Sequence, residues 1–123
     1  MKTIKIYCKI CGCKLTEELI EIPVSSLSWV YVTPLMQKNK YVLCKSKRTL
    51  QNNVLVANDQ YYLKDHSDES RFNGCCGSNG FRGLNKICEN GHEVATEITD
   101  CGTAHYTEFD LMKVIIKENK LIN

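Results

Sequence analysis

Two short cysteine grips stand far apart in this chain: Cys8-Lys9-Ile10-Cys11-Gly12 near the start and Cys88-Glu89-Asn90-Gly91-His92 near the end. Each offers two soft donors a few residues apart and a glycine to relieve the bend. Together they supply three thiols and one imidazole, the donor set that tetrahedral zinc takes at Zn–S distances of about 2.3 Å. In Cys-x-x-Cys-Gly the turn aims backbone amides at the first sulfur. Cys88-x-x-x-His92 is a looser variant in which the longer imidazole reaches back. A fold that shares one ion between the grips must bring them face to face across the 76 residues between Cys11 and Cys88.

The eight cysteines are read through the compartment. Lys5 and Lys9 interrupt any apolar stretch at the N-terminus and no small-residue cleavage site follows, so a secretory leader is not expected. A reducing cytoplasm is, and clustered thiols there serve as metal ligands or catalytic groups rather than disulfides. Cys8-x-x-Cys11 also has the spacing of a thioredoxin-type redox pair, but that motif opens a helix in a βαβ unit and nothing after Cys11 keeps a helical period. At 123 residues, 43% hydrophobic and 24% charged, the chain suits a single domain over 1–123. Its apolar runs, such as Trp29 to Val32 and Val114 to Ile116, fall well short of the ~20 residues of a membrane helix.

The pattern predicts a mainly β fold. Residues 2–7 alternate, with Ile4 and Ile6 on one face and Thr3, Lys5 and Tyr7 on the other. Strands are also expected at Trp29 to Thr33, ended by Pro34, and at Tyr41 to Cys44, Asn53 to Val56, Leu84 to Cys88, Glu93 to Thr99, Tyr106 to Asp110 and Lys113 to Lys117, the last closing a sheet edge. Lys14 to Ile22 either runs extended or holds a single helical turn capped by Thr16. Ser25 to Ser28 reads as a linker, and Tyr61 to Leu63 as a segment packing back on the sheet. The metal-binding parts are then 1–22 and 72–110, with a large β-rich insertion, 23–71, between the two knuckles.

Gly74, Gly77, Gly80 and Gly83 make 73–83 a loop able to wrap tightly, without the context of a phosphate-binding fingerprint. It carries Cys75-Cys76, which with Cys101 and His105 forms a second candidate metal site. Adjacent residues point their side chains apart, so either one thiol serves each ion or both complete the second site with some strain. Read without a metal, Cys101 is a small buried hydrophobe and His105 a packed imidazole. Cys13 and Cys44 read as packing residues, Cys13 also standing where it can replace Cys11. His66 lies among Asp65, Asp68 and Glu69 in a polar loop that reads as solvated.

At its two grips the chain resembles zinc-ribbon proteins. It is also similar to a group of small bacterial Cys-rich proteins sharing an N-terminal Cys-x-x-Cys-Gly-x-x-Leu-Thr, a central Asn-Gly-Cys-Cys-Gly and a late Asp-Cys-x-x-x-His, here Cys8 to Thr16, Asn73 to Gly77 and Asp100 to His105. Members more often carry cysteine where this chain offers His92. The resemblance implies a small zinc-ribbon-like β domain and metal binding, and supplies no activity.

Three functions compete. The first is a zinc-stabilised binding module, with one or two Zn2+ ions and a protein partner. The second is a nucleic-acid-binding ribbon. Residues 22–58 hold no acidic residue, while Lys38, Lys40, Lys45, Lys47 and Arg48 give that segment +5 in a chain of net charge +2. The third is a zinc enzyme with an open second site and Asp100 or Glu97 as base; no deaminase, Ser-His-Asp or His-Glu-x-x-His pattern accompanies it.

Overall fold

The computed structural model of the chain describes residues 2–120. They are mainly β: strands β1 (Lys2–Cys8), β2 (Leu19–Glu21), β3 (Lys40–Lys45), β4 (Asn52–Val56), β5 (Lys64–Asp65), β6 (Lys86–Ile87), β7 (Glu93–Ile98), β8 (Tyr106–Phe109) and β9 (Val114–Lys120) form one nine-stranded sheet in the order β5-β6-β7-β8-β4-β3-β2-β1-β9. The pairs are antiparallel except β2 with β3. A parallel pair needs a crossover of a dozen or more residues, and residues 22–39 provide it. Among the described residues no helix is long and apolar enough to cross a membrane.

Strand alternation sends side chains to two separate cores. Ile4, Ile6, Leu15 and Leu19 from the β1–β2 end pack in one cluster with Val94, Ala95 and Phe109 from β7 and β8. Laid flat, a sheet of this order would hold β1 and β7 five strand spacings apart, about 24 Å. Their shared core means that the sheet curls, with this cluster on its concave face. On the other face Val42, Leu55, Ile98 and Tyr106 are covered by Leu35 and Met36, with Ile22, Leu27 and Trp29 packed against them, so the crossover acts as the lid of a second core.

That lid corrects the strand expected at Trp29 to Thr33. The segment is a loop closed by Ser28 N–H donating to the Leu35 carbonyl at 2.9 Å, with the Thr33 hydroxyl donating to the Val30 carbonyl across its tip. Trp29 turns inward, edge-on to Tyr106 at 5.7 Å. Of the aromatic and β-branched residues that suggest sheet pairing, Trp29 provides cover, while Val30, Tyr31 and Val32 stay exposed at the loop tip. A short 3-10 turn, Val24–Ser26, runs into Ser25 to Ser28, the segment read as a linker. Of Lys14 to Ile22 only Leu19–Glu21 is strand, with an isolated bridge between Lys14 and Tyr7. Leu84 to Cys88 shrinks to the two paired residues of β6, while Tyr61 packs back as expected, edge-on to Phe109. β9 lies at one edge of the sheet, paired along its length with β1.

Candidate metal centres

Each grip is a turn at a strand end, built alike. After β1, Gly12 N–H donates to the Cys8 carbonyl at 2.8 Å and Cys8 N–H to the Cys13 carbonyl at 2.9 Å. Between β6 and β7, Gly91 N–H donates to the Cys88 carbonyl and Cys88 N–H to the His92 carbonyl, both at 2.9 Å. Gly12 and Gly91 take φ of +76° and +88°, and a Cβ at either would meet nothing within 4 Å. The left-handed backbone, not crowding, is what asks for glycine there. Asn90 and His92 N–H both point at Cys88 Sγ, at 3.4 Å. The Cys11 and Ile10 amides favour the Cys8 thiolate, against the upward push of its burial.

The curl of the sheet sets these turns against each other. Around a tetrahedral ion with thiolate bonds of about 2.3 Å and an imidazole bond of about 2.05 Å, two sulfurs stand about 3.8 Å apart and a sulfur and a nitrogen about 3.6 Å. Here Cys11 Sγ and Cys88 Sγ are 3.8 Å apart, and His92 Nδ1 lies 3.6 Å from Cys8 Sγ and 3.4 Å from Cys88 Sγ. All four donor atoms fall within 4.8 Å of one another. Cys8 and Cys88 are fully buried, His92 is half-buried and Cys11 is exposed.

In the metal-free chain these thiols titrate apart. A hydrogen bond from the Asn90 side chain, then one from the Cys13 amide, draws Cys11 down to about 5, while burial pushes Cys8 up. Cys13, packed against the concave core with its sulfur 3.4 Å from Cys11 Sγ, is pushed up to about 12 by burial and by the Cys11 thiol. Asn90 is a contributor that sequence reasoning passed over, although it occupies the middle of the second grip.

The second group contains Cys75, Cys76 and Cys101, their sulfurs again within 4.8 Å of one another. Both members of the vicinal pair enter it because the loop is too tight for the usual divergence of neighbours. A Cβ at Gly74 would lie 1.8 Å from the Gly77 carbonyl oxygen, and one at Gly77 would lie 2.6 Å from the Thr99 carbonyl oxygen and from its hydroxyl. One carboxylate organises all three residues: Asp100 accepts the amides of Cys76 and Cys101 at 2.8 Å and of Cys75 at 3.4 Å. The Cys76 and Cys101 amides are the main reason its carboxyl sits below the usual range. Close approach of the Cys76 thiol, more than burial, pushes Cys101 up to about 12.

His105, expected to ligate beside Cys101, is not among these converging atoms. Its Nε2 lies 3.0 Å from the Asp100 carbonyl oxygen and donates to it, so the ring braces the loop backbone. The basic segment is dispersed as well. Arg48 is buried in an ion pair with Glu108 and also donates to the Gly80 carbonyl; Lys47 sits over the Trp29 ring at 3.8 Å; Lys38 pairs with Asp59 at 3.5 Å; Lys45 is exposed and Lys40 half-buried. Cys44 packs against the outer core. His66 bonds Glu93, which also holds Arg71, tying the polar loop to β7.

Compared with protein-family models, curated proteins and solved structures, the chain matches none. What the two groups can hold is therefore judged from their donors. Both are able to hold a metal ion, the first with four protein ligands and the second with three.

Proposed function

We propose that the protein is a zinc-stabilised β module that works by binding a macromolecular partner, most simply a protein. The observation that carries the zinc assignment is the first group's spacing: the Cys11–Cys88, Cys8–His92 and Cys88–His92 donor distances fall within about 0.2 Å of those around tetrahedral zinc, and all four donors lie within 4.8 Å of one another. Three thiolates and an imidazole also suit zinc better than oxygen-seeking ions. Four protein ligands close the coordination sphere, as in structural rather than catalytic sites. The ion would join the two ends of a curled sheet that, among the described residues, no hydrogen-bonded strand pair closes, since β5 and β9 are its edges. As in zinc ribbons, which the grips resemble, metal and fold would be one system.

A binding role is supported by the tip of the crossover loop. Val30, Tyr31 and Val32 are 61%, 67% and 57% exposed, and Val32 holds φ +64°, costly for a β-branched residue, with its N–H on the Thr103 carbonyl. A photo-crosslinking residue at Tyr31 of the zinc-loaded chain, with one at Glu17 as control, tests the role in a cell extract. Adducts at Tyr31 that vanish when zinc is stripped support it, and equal labelling from both positions refutes it. Metal content by native mass spectrometry tests the ion independently: zinc retained in the wild type and lost with folding in Cys11→Ser is the expected result. A fully folded, metal-free wild type overturns it.

A further inference from the structure

We infer that Cys75, Cys76 and Cys101 form an open, exchangeable thiolate centre for a thiophilic d10 cation such as Zn2+, whose remaining coordination position is filled by a ligand from outside the chain. The contrast with the first group carries the inference. There, two sulfurs are fully buried and an imidazole completes the sphere; here Cys75 and Cys76 are exposed and Cys101 is half-buried. Among the described residues no fourth Cys, His, Asp or Glu donor joins the three sulfurs. Of the two candidates flanking Cys101 in sequence, His105 spends its Nε2 on the Asp100 carbonyl, and the Asp100 carboxylate is taken up by the loop amides and the Cys101 side chain. Three protein ligands with a fourth position left to solvent or substrate is the pattern of a reactive rather than a structural zinc site.

The loop is built to hold the three thiols before any ion arrives. Besides the three amides on Asp100, Thr99 and Asp100 N–H donate to the Ser78 carbonyl at 2.9 and 3.1 Å, and Ser78 N–H donates to the Thr99 hydroxyl at 3.0 Å. Fully buried Asn85 donates to the Ser78 hydroxyl at 2.8 Å and to the Glu97 carbonyl at 3.0 Å, and accepts from Glu97 N–H at 2.7 Å. These bonds span the loop and β7 without using a sulfur, so the anchoring survives loss of the ion. Binding exchanges three S–H protons, released to solvent, for three metal–sulfur bonds and involves no change of oxidation state. The all-sulfur donor set selects soft ions over magnesium or calcium. Exposure gives a competing ligand a direct approach, so the ion can be passed on without unfolding the sheet.

The test loads the reduced chain with Cd2+, which reports its thiolate bonds by ultraviolet absorbance, and then adds a chelator with a thiol-alkylating reagent, mapping the modified cysteines by mass spectrometry. Two ions are expected per chain, one leaving at least about tenfold faster because its release needs no opening of the core. Cys75, Cys76 and Cys101 should be alkylated in that fast phase, with Cys8 and Cys88 only in the slow one. A small monothiol added before chelation should raise the second centre's band by about one third, three thiolates becoming four. Cys76→Ser, at an exposed position, should lose the fast ion and keep the slow ion and the melting temperature. A single ion per chain, fast labelling at Cys8 or Cys88, or a disulfide among the three cysteines of the reduced, metal-loaded chain overturns the inference. Because labelling assigns each phase to its own cysteines in the wild type, failure here leaves the reading of the first centre standing.

Discussion

Replacing Cys88 by serine removes a fully buried sulfur that sits 3.8 Å from Cys11 Sγ and 3.4 Å from His92 Nδ1, and should release the ion from the first centre. Two terms set the cost. Treated as a cross-link over the ~80 residues that join the grips, the ion restricts the unfolded chain by about 4.5 kcal/mol on the loop-closure model used for disulfides. The metal–ligand bonds add to this, and structural zinc in small domains supplies about 10 kcal/mol or more in total. A domain of this kind is stable by only about 5–15 kcal/mol. Even the lower figure removes a large part of that margin, and the higher one removes all of it.

The assay is thermal and urea unfolding of the reduced protein, wild type against Cys88→Ser, each with zinc and with chelator. At about 3–5 °C per kcal/mol for a chain this long, the cross-link term alone predicts a fall of at least about 13 °C. Chelator should lower the wild type by as much and leave the variant unchanged. Cys44→Ser is the control: Cys44 packs at the margin of the outer core and touches neither centre, so its cost should stay below about 2 kcal/mol. If Cys88→Ser melts within 3 °C of wild type, or if chelator lowers both proteins equally, the first centre does not hold the sheet ends together. Equal damage from Cys44→Ser would show that burial, and not ligation, decides which cysteines matter.

His92→Cys should keep metal and fold by supplying a thiolate, whereas His92→Ala should open the site; the chelator concentration that half-depletes each variant measures this, and unchanged retention in the alanine variant excludes His92. In the metal-stripped protein Cys11, held near 5 against an ordinary thiol value of 9.0, should be the fastest-alkylating cysteine at neutral pH, and Cys13, near 12, among the slowest. The linkage follows in sign: a depressed folded pKa contributes stability that is complete above pH 9 and is lost as pH falls through about 5. An alkylation rate for Cys11 that keeps rising steeply between pH 7 and 9 would contradict the Asn90 and Cys13 hydrogen bonds. Gly77→Ala should distort the second centre, since its Cβ would lie 2.6 Å from Thr99 oxygens, while Gly102→Ala, with nothing within 4 Å, should be silent; cadmium stoichiometry separates them.

What was legible in the sequence is what local rules govern. Ile4 and Ile6 share the buried face of β1 because a strand has period two, and the grips fold as turns because cysteine spacing and a left-handed glycine are local facts. The curl that brings the grips together was not legible. It arises from pairings such as Val54 with Phe109 and Ile20 with Lys40, which join residues distant in sequence or across a long crossover. Apolar content also fails to tell a strand from a loop, which is why Trp29 to Thr33 suggests pairing although it forms a loop of which only Trp29 packs on the outer core.

The clearest lesson lies in two segments of equal spacing, Cys88-x-x-x-His92 and Cys101-x-x-x-His105. Each histidine directly precedes a strand, β7 or β8. In the first, Gly91 stands just before the imidazole at φ +88° and reverses the chain, so that His92 returns to Cys88. In the second the glycine comes directly after the cysteine and is not left-handed, and Ala104, the residue before His105, is buried in the outer core. The chain therefore runs on into β8, and His105 meets the Asp100 carbonyl instead of the three thiols. Spacing made both histidines candidates, and the position of the turn glycine distinguishes them. A chain with glycine at 104 instead of 102 would give the second centre a fourth ligand only if it also gave up the buried place of Ala104 in that core. The open centre and the well-packed outer core are two consequences of one local sequence.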